Sequence, residues 1–361
     1  MAMDLDVRVA ASLIDLTGGF APAEDLMSPD VPADDPHYRE SVSMWIFDDA
    51  NRIQLPRFLV EDIAGRRDER LTFFNLAFPG GRSLVEWGQA PARPMAGADG
   101  RPTVYGAGGM AFHCIEPFHR WRAEYSGEMF DTRAADLMFA APAGPRVPVQ
   151  VEIETRSVVP LWVHGRMSTA GAQMMAEDSE ARRFTGNGFR YEQLVQAEGW
   201  VKIGDETRID FSGRGLRVHR RSSRISAGFR GHVWQSAVFP SGKGFGYTIF
   251  PPLPDGAPTF GEGYFFDGRQ MIPAEPVDVP WMRVATPNAQ DVGFTLRTAN
   301  GDVRIDAVTG PTNFSTVRSA ADGDADPLLQ QQGSALYSLG GESAYGMIER
   351  SSYRSQLTLE R

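Results

Sequence analysis

Hydrophobic positions along most of this chain recur at every second residue. The clearest example is VPVQVEIETRSVV, where apolar and polar residues alternate strictly. Alternation of this kind places one set of side chains on each face of a β-strand. The strand-like runs are short and evenly spaced, and Asn300-Gly301 between two of them suits a type I′ hairpin turn. The pattern therefore predicts an all-β fold of antiparallel barrels or sandwiches.

Two stretches interrupt the alternation. Residues 1–36 are rich in Asp, Pro and Ala, and they predict an N-terminal extension with a short helix. Residues 167–188 are small, polar and partly helical in character, and we interpret them as a domain boundary. The predicted domains are therefore a first β domain over residues 37–175 and a second over residues 186–361. The halves are alike in strand spacing, but no clear sequence repeat relates them.

Composition and charge narrow the function classes. The net charge of −10 argues against a general nucleic-acid binder, which needs a basic surface. The single cysteine, Cys114, excludes an internal disulfide framework. The N-terminal residues lack a signal-peptide pattern, so we expect a reducing, cytoplasmic location. No run of apolar residues is long enough for an integral membrane segment. The oligomeric state is left open.

Common cofactor and nucleophile patterns are not evident. No Gly-rich phosphate loop follows a predicted strand, which argues against an α/β nucleotide fold. His113 and His119 flank Glu116, but a metal site usually shows tighter spacing and a third ligand. Cys114 has apolar neighbours, and there is no Gly-x-Ser-x-Gly elbow. We therefore expect neither a metal nor a cofactor, and not a Ser or Cys hydrolase.

Four short motifs carry a resemblance to a known family. They are FHCIEP at residues 112–117, Tyr191-Glu192-Gln193, GRGLRVH at residues 213–219, and AYGMIE at residues 344–349. In this order they resemble the bacterial family named after hydroxyneurosporene synthase, the carotenoid 1,2-hydratase. The resemblance covers most of the chain from about residue 38 onward. It implies two packed lipocalin-like antiparallel β-barrel domains and an apolar pocket.

The chain departs from this family at one informative place. The family usually has Arg-Asp-His-Ser-Trp-Gly where this chain has RVHRRS at residues 217–222. The acid, the aromatic residue and the glycine are missing, so chemistry that needs that Asp is not transferred. The resemblance also implies functional roles for a His-x-Trp pair and for a later Tyr and Asp. The similar positions here are His232, Trp234, Tyr264 and Asp267.

Each of these residues also has a purely structural interpretation. His232 and Trp234 share one face of a strand, where His can transfer a proton and Trp can stack on an unsaturated or cationic substrate. The alternative is a core Trp capped by a His hydrogen bond. Asp267 is either an acid whose pKa is raised in an apolar pocket or the Asp of an Asp-Gly turn, which we favour.

The charged residues around Tyr191-Glu192-Gln193 also allow two interpretations. A buried Glu192 needs a paired cation, and we expect Arg217 or His219 as the partner, with a structural salt bridge favoured. The same logic makes Glu116 and Glu349 candidate ties between domains. Seven arginines fall between Arg208 and Arg230. They either bind an anionic substrate group or, as we favour, lie on a solvent-exposed edge strand, where their charge prevents pairing with another chain.

The sequence then favours an enzyme over a binding protein. We expect a cofactor-independent hydratase, dehydratase, isomerase or cyclase acting on a small hydrophobic, terpenoid-like substrate in an apolar barrel pocket. The predicted catalytic residues are His232, Asp267 and Glu192. The predicted substrate-binding residues are Trp234, Tyr264, Tyr191, His219 and Arg217. The alternative is a non-catalytic carrier of a lipophilic molecule. A third class, an interaction module, predicts barrels filled with side chains.

Overall fold

The protein is an all-β molecule built from two groups of antiparallel strands. The computed structural model describes residues 14–28, 32, 34–63, 66–175, 182, 184, 186–225, 228–317 and 326–361. Regular helix in these residues is limited to two short segments, α1 (Ala134–Leu137) and α2 (Thr169–Met174). The predicted fold class is confirmed.

The first group of strands closes into a ring of eight. Antiparallel pairing runs β1-β2-β3-β4-β7-β8-β10-β11, with β4–β7 and β1–β11 pairs completing the ring. Strands β5 and β6 continue the sheet from β7, and β9 pairs with β10. The strands are β1 (Tyr38–Asp48), β2 (Gln54–Ile63), β3 (Arg66–Ala77), β4 (Arg82–Pro91), β5 (Val104–Ala107), β6 (Met110–Glu116), β7 (Arg120–Arg133), β8 (Arg146–Ser157), β9 (Trp162–Val163), β10 (Asn187–Ile203) and β11 (Ile209–Ser223).

The second group is a closed barrel in the order β12-β13-β14-β15-β17-β18-β19-β20. Its first and last strands pair, as they do in the first ring. Strands β16 and β21 form a small parallel pair beside it. The strands are β12 (His232–Val238), β13 (Gly244–Ile249), β14 (Gly261–Phe266), β15 (Met271–Val277), β16 (Val284–Ala285), β17 (Phe294–Thr298), β18 (Gly301–Val317), β19 (Leu328–Leu339), β20 (Glu342–Tyr353) and β21 (Thr358–Leu359).

The chain passes between the barrels later than the sequence suggests. Helix α2 lies in the interruption predicted at residues 167–188, but β10 and β11 then return to the first barrel, where they pair with β8 and β1. The change of barrel falls between Ser223 and His232. We therefore propose a domain boundary there instead of between residues 175 and 186. The predicted Asn300-Gly301 hairpin is present, and it joins β17 to β18.

Aromatic side chains fill both barrels. In the first barrel the rings of Phe58 and Phe74 stack with centroids 4.4 Å apart, and Phe112 packs on Phe58 at 5.0 Å. In the second, Phe294 lies 4.7 Å from Tyr247. All five residues are fully buried. These rings fill the interior of each barrel at the positions that they occupy. The sequence resemblance had implied an apolar pocket inside a barrel instead.

The motif at residues 213–219 helps to close the first barrel. A Cβ atom at Gly213 would lie 1.9 Å from the carbonyl oxygen of Phe47, and one at Gly215 would lie 1.9 Å from that of Trp45. Glycine is therefore needed at both positions, because β1 approaches β11 too closely for a side chain. This part of the motif is explained by strand packing.

A buried carboxylate from the N-terminal segment ties that segment into the first barrel. Asp25 ends the 3-10 turn Pro22–Asp25, and both Asp25 and Arg217 have fully buried side chains. Burial alone would raise the pKa of Asp25, but Arg217 and His219 outweigh that effect and hold the pKa below its usual value. The groups that bind its carboxylate are Arg217 Nη1 at 2.9 Å, Trp121 Nε1 at 3.0 Å, the Phe118 amide and the Tyr191 hydroxyl.

Each barrel contains a buried arginine that is hydrogen-bonded to a glutamine on the neighbouring strand. Arg217 on β11 donates to Gln193 on β10 at 2.6 Å, and Arg350 on β20 donates to Gln331 on β19 at 2.6 Å. Each pair is directly opposite across its two strands. Arg350 also donates to Gln290 Oε1 at 2.6 Å, in the connection between β15 and β17. The two barrels therefore share an internal Gln–Arg pair that the sequence did not reveal.

The buried Asp25 predicts a measurable stability effect. Changing Asp25→Asn leaves the Arg217 charge buried without its carboxylate, which should lower the free energy of unfolding by about 3–5 kcal/mol. Chemical denaturation at neutral pH measures this value. Asp34→Asn, at an exposed position nearby, is the matched control and should change stability by less than about 0.5 kcal/mol. Equal stability of both variants would contradict the assigned role.

Candidate functional site between the barrels

The outer faces of β10 and β11 form one wall of the junction between the barrels. Gln193 and Arg217 point into the first barrel, so the alternating residues Glu192 and Arg220 lie on the outside. On the second barrel, Trp234 of β12 and Glu349 of β20 lie opposite each other and contribute to the facing wall. The candidate site is the group of polar and aromatic side chains at this junction.

Glu192 is at the centre of the site. Its side chain is 1% exposed, and its two oxygens have different partners. Oε1 lies 2.6 Å from His164 Nε2 and 2.6 Å from Arg190 Nη1. Oε2 accepts a 3.0 Å hydrogen bond from the indole N–H of Trp234, which belongs to the second barrel. One carboxylate therefore joins three side chains and both barrels.

The charges around Glu192 determine its protonation and that of His164. Burial would raise the pKa of Glu192, but Arg190 and His164 outweigh it and lower the pKa. Burial and then Arg190 lower the pKa of His164 to about 4, despite the opposite effect of Glu192. Near neutral pH the pair is a carboxylate beside a neutral imidazole. The imidazole then donates to Glu192 from Nε2, and its Nδ1 can accept from Arg190 Nη1, which lies 3.1 Å from Nδ1 and 2.5 Å from Nε2.

A second carboxylate group lies beside the first. Glu349 is 3% exposed, with Oε1 3.1 Å from His232 Nε2 and Oε2 3.2 Å from Arg57 Nη1 of the first barrel. Burial opposes its ionisation, but the His232 hydrogen bond and Arg57 outweigh this and lower its pKa to about 2. His232 Nδ1 is 2.8 Å from the Ser351 hydroxyl. Glu349 is thus the tie between barrels that the sequence suggested.

Large aromatic side chains form the apolar part of the junction. Trp45 and Trp234 meet edge to face with ring centroids 4.9 Å apart, and Trp162 lies 5.5 Å from Tyr264. The Arg190 guanidinium lies 5.1 Å from the Trp234 ring centre, within range of a cation–π interaction. The site therefore combines ionised groups with broad π surfaces.

Glu262 attaches the segment after β9 to the second barrel. Its buried carboxylate accepts hydrogen bonds from the Gly165 amide at 2.7 Å, the Met167 amide at 3.1 Å and Trp162 Nε1 at 3.1 Å. Burial raises its pKa, and these hydrogen bonds only partly offset that effect. This attachment holds His164 against Glu192.

The structure separates the predicted site residues other than Asp267 into two groups. Glu192, His232, Trp234 and Tyr264 meet at the junction. The predicted substrate contacts Tyr191, Arg217 and His219 instead point into the first barrel and surround Asp25. The expected pairing of Glu192 with Arg217 or His219 is wrong, because residues 192 and 217 extend from opposite faces of the paired strands.

Asp267 and Glu116 lie away from the junction. Asp267 Oδ1 accepts from the backbone amides of Arg269 and Gln270 at 2.8 and 2.9 Å, which is the turn role that we favoured. Glu116 is exposed, so it does not tie the domains. The favoured interpretation of the arginine-rich segment as an edge strand is also wrong, because β11 pairs with β1 on one side and β10 on the other.

Sequence reasoning missed several residues of the site, among them His164, Arg190 and Glu262. Arg190 is two residues from Glu192, so period-two alternation places both side chains on one face. That signal was available in the sequence. His164 and Glu262 belong to segments far apart in the chain, and only tertiary packing brings them to Glu192 and Trp162.

Other features of the described residues add little to this site. Two open recesses, of about 470 and 410 Å³, lie on the first barrel, and none of the predicted site residues lines them. Within the described ranges, no group of three or more His, Cys, Asp or Glu side chains is placed to hold a metal ion. In the same ranges, no helix has the length and apolar character to cross a membrane.

The fold and site define a two-barrel protein with a polar, aromatic-walled junction. The chain belongs to the DUF7064 family, because the model described as "Domain of unknown function (DUF7064)" matches residues 22–354. A search of curated proteins gives no match.

Three solved structures are similar to this chain over most of its length. A protein of Nitrosomonas europaea, provisionally assigned as AttH, is 14% identical with a TM-score of 0.55, covering 94% of this chain and 100% of its own. CghA in complex with Sch210972 is 9% identical with a TM-score of 0.48, covering 88% and 89%. Kievitone hydratase from Nectria haematococca is 10% identical with a TM-score of 0.40, covering 95% and 97%. The likeness to the Nitrosomonas europaea protein confirms, for the fold alone, the resemblance found in the sequence.

The low pKa of His164 predicts a pH-dependent stability. Its pKa is about 4 when folded against 6.5 in an unfolded chain, so only the unfolded state takes up this proton as pH falls through that interval. His164 should therefore lower the unfolding free energy by up to about 3 kcal/mol between pH 6.5 and pH 4.

Urea unfolding of wild type and His164→Gln at several pH values measures this contribution. The variant should show a shallower loss of stability between pH 6.5 and pH 4, because it lacks the titrating imidazole. His37→Gln, which removes an exposed imidazole, is the control and should follow the wild-type profile. Parallel profiles for all three proteins would rule out the assigned protonation of His164.

Proposed function

We propose that the protein is an enzyme that hydrates, dehydrates, isomerises or cyclises a small hydrophobic molecule by acid–base chemistry, without a redox cofactor. The observation that carries the proposal is the Glu192 carboxylate, buried between the barrels against His164, Arg190 and Trp234. Buried ionised groups of this kind are uncommon outside functional or strongly paired sites. A terpenoid-like compound is the substrate class that the sequence resemblance suggests.

In this proposal the His164–Glu192 pair moves the proton. Glu192 remains ionised and accepts the Nε2 hydrogen of the neutral His164 imidazole. Nδ1 takes the proton from the substrate after Arg190 gives up its hydrogen bond to that nitrogen. The carboxylate also stabilises the imidazolium that forms when the base accepts a proton. This assignment replaces Asp267 as the proposed acid–base group, since the Asp267 carboxylate is bound within its own turn.

The aromatic walls supply binding and charge stabilisation. Trp45, Trp234 and Tyr264 present π surfaces near Glu192, and such faces suit an alkene or a developing carbocation. His232 is held by Glu349 and Ser351, so we assign it a positioning role at the second carboxylate group. The substrate would lie between the barrels instead of inside one.

A carrier without turnover is the second candidate. The observation that favours it is that Glu192 and Glu349 are already satisfied by protein hydrogen bonds. Such saturated groups support a stable junction at least as well as proton transfer. Turnover separates the two candidates, because a carrier returns its ligand unchanged.

The enzyme proposal predicts turnover that depends on Glu192. Purified protein is incubated with a lipophilic extract of its host in D2O, without added cofactor, and the compounds are followed by mass spectrometry. A substrate should change by one molecule of water or by none, with deuterium entering the product at the proton-transfer step. Glu192→Gln should slow this change by about a hundredfold or more, because the base loses its orienting carboxylate.

Two further variants make the test specific. Asp267→Asn should keep wild-type turnover, whereas the sequence-based assignment requires its loss. Glu198→Gln removes an exposed carboxylate from the same strand and should also be active. Unchanged turnover in Glu192→Gln rejects the proposed site, and recovery of a bound compound that the wild type never converts favours the carrier.

A further inference from the structure

Four arginines collect at one end of the junction, and we call them the arginine group. They are Arg57 on β2, Arg190 on β10, Arg220 on β11 and Arg224 just after β11. Arg190 and Arg220 are directly opposite across β10 and β11, so their side chains extend from the same face. Like charges in directly opposite positions destabilise a sheet unless something compensates them.

The members of this group differ in how they are paired. Arg190 binds Glu192 at 2.6 Å, and Arg57 binds Glu349 at 3.2 Å. Arg224 Nε donates to the Phe184 carbonyl at 3.0 Å. Arg220 alone in the group makes no hydrogen bond or close ion pair within the described part of the chain, and its Nε is out of contact with water.

The local charge is positive although the chain as a whole carries −10. The carboxylates that oppose these four arginines include Glu61, Glu192 and Glu349. Glu61 also has Arg39 at 4.0 Å. Burial, followed by Arg224 and Arg190, lowers the pKa of Arg220. A guanidinium keeps its proton at physiological pH, so Arg224 and Arg190 repel Arg220, and Glu61 offsets this repulsion only in part.

An aromatic cluster lies beside the arginine group. The rings of Phe184 and Phe229 meet at 5.2 Å, and Phe229 lies 5.7 Å from Phe250. Phe229 also contacts His232 at 5.5 Å, and Phe184 is the residue whose carbonyl binds Arg224. Cationic and apolar surfaces therefore adjoin at this end of the junction.

We propose that the arginine group, with Arg220 as its free member, binds the anionic head group of an amphipathic substrate, either a carboxylate or a phosphate. The guanidinium fork of Arg220 matches two oxygens of either group, and the negative charge offsets the repulsion from Arg190 and Arg224. The apolar body of the substrate lies against the Phe184, Phe229 and Phe250 rings. This inference rests on the proposed function, because it specifies the substrate class of the same junction.

Calorimetric titration of three probes with the same chain tests the inference. Decanoate, decyl phosphate and decanol share an apolar tail, and the first two distinguish a carboxylate from a phosphate head group. Wild type should bind at least one of the anions about tenfold or more tightly than decanol, since charge-assisted hydrogen bonds strengthen binding by this order.

Arg220→Gln should reduce this anion preference to about twofold or less, with decanol binding retained, because one charge and its fork are lost. The same variant should melt at a higher temperature than wild type without ligand, since the unpaired charge is gone. Arg220→Lys keeps the charge and should keep part of the preference. Arg304→Gln, on the exposed face of the second barrel, is the control and should bind as wild type does.

The binding measurements test the head-group site independently of the turnover measurements that test the proposed function. Equal affinity for anions and decanol, no anion binding at millimolar concentration, or a preference that survives Arg220→Gln overturns the head-group site. Glu192→Gln should keep the anion preference while losing turnover. Turnover that depends on Glu192 without any anion preference would leave the proposed function intact and reject only the arginine group.

Discussion

The alternation of side chains along the paired strands β10 and β11 is the constraint on which this structure depends. It sends Gln193 and Arg217 into the first barrel, where Arg217 meets the carboxylate of Asp25. It sends Glu192 and Arg220 outward to the second barrel. One strand pair therefore supplies both the anchor of the N-terminal segment and a wall of the candidate site. A shift of one residue in the pairing would exchange these two sets, so the register cannot vary without loss of both.

Each barrel also contains a buried arginine, and its charge is stabilised by similar hydrogen-bond partners in both barrels. An arginine on the last strand bonds a glutamine on the preceding strand, and a segment outside the barrel wall supplies further acceptors: Asp25 in the first barrel, and Gln290 in the second. At the junction, Glu192 and Glu349 are neutralised by groups from both barrels. Ion pairs of this kind contribute little net stability relative to apolar packing, but loss of one partner is costly. They therefore favour one relative placement of the barrels.

Several features of the site were readable in the sequence, and others were not. Period two identified the strands and the shared face of His232 and Trp234, and Asn-Gly turn chemistry identified the hairpin at Asn300-Gly301. The same rule applied to residues 190 and 192 would have paired Arg190 with Glu192. It would also have excluded Arg217 as the partner of Glu192 once the register was known. His164 is different, because no local pattern relates it to a strand that begins more than twenty residues later.

The sequence by itself determined the all-β class and the repeated short strands, because alternation and turn chemistry are local properties. Only the tertiary structure decided that β10 and β11 belong to the first barrel, that the barrels are filled, and that the polar site lies between them. These depend on which strands pair and which faces meet. Pairing joins residues far apart in the chain, such as Glu192 with Trp234 and Asp25 with Arg217, and its energy arises from burial that no single segment can provide alone.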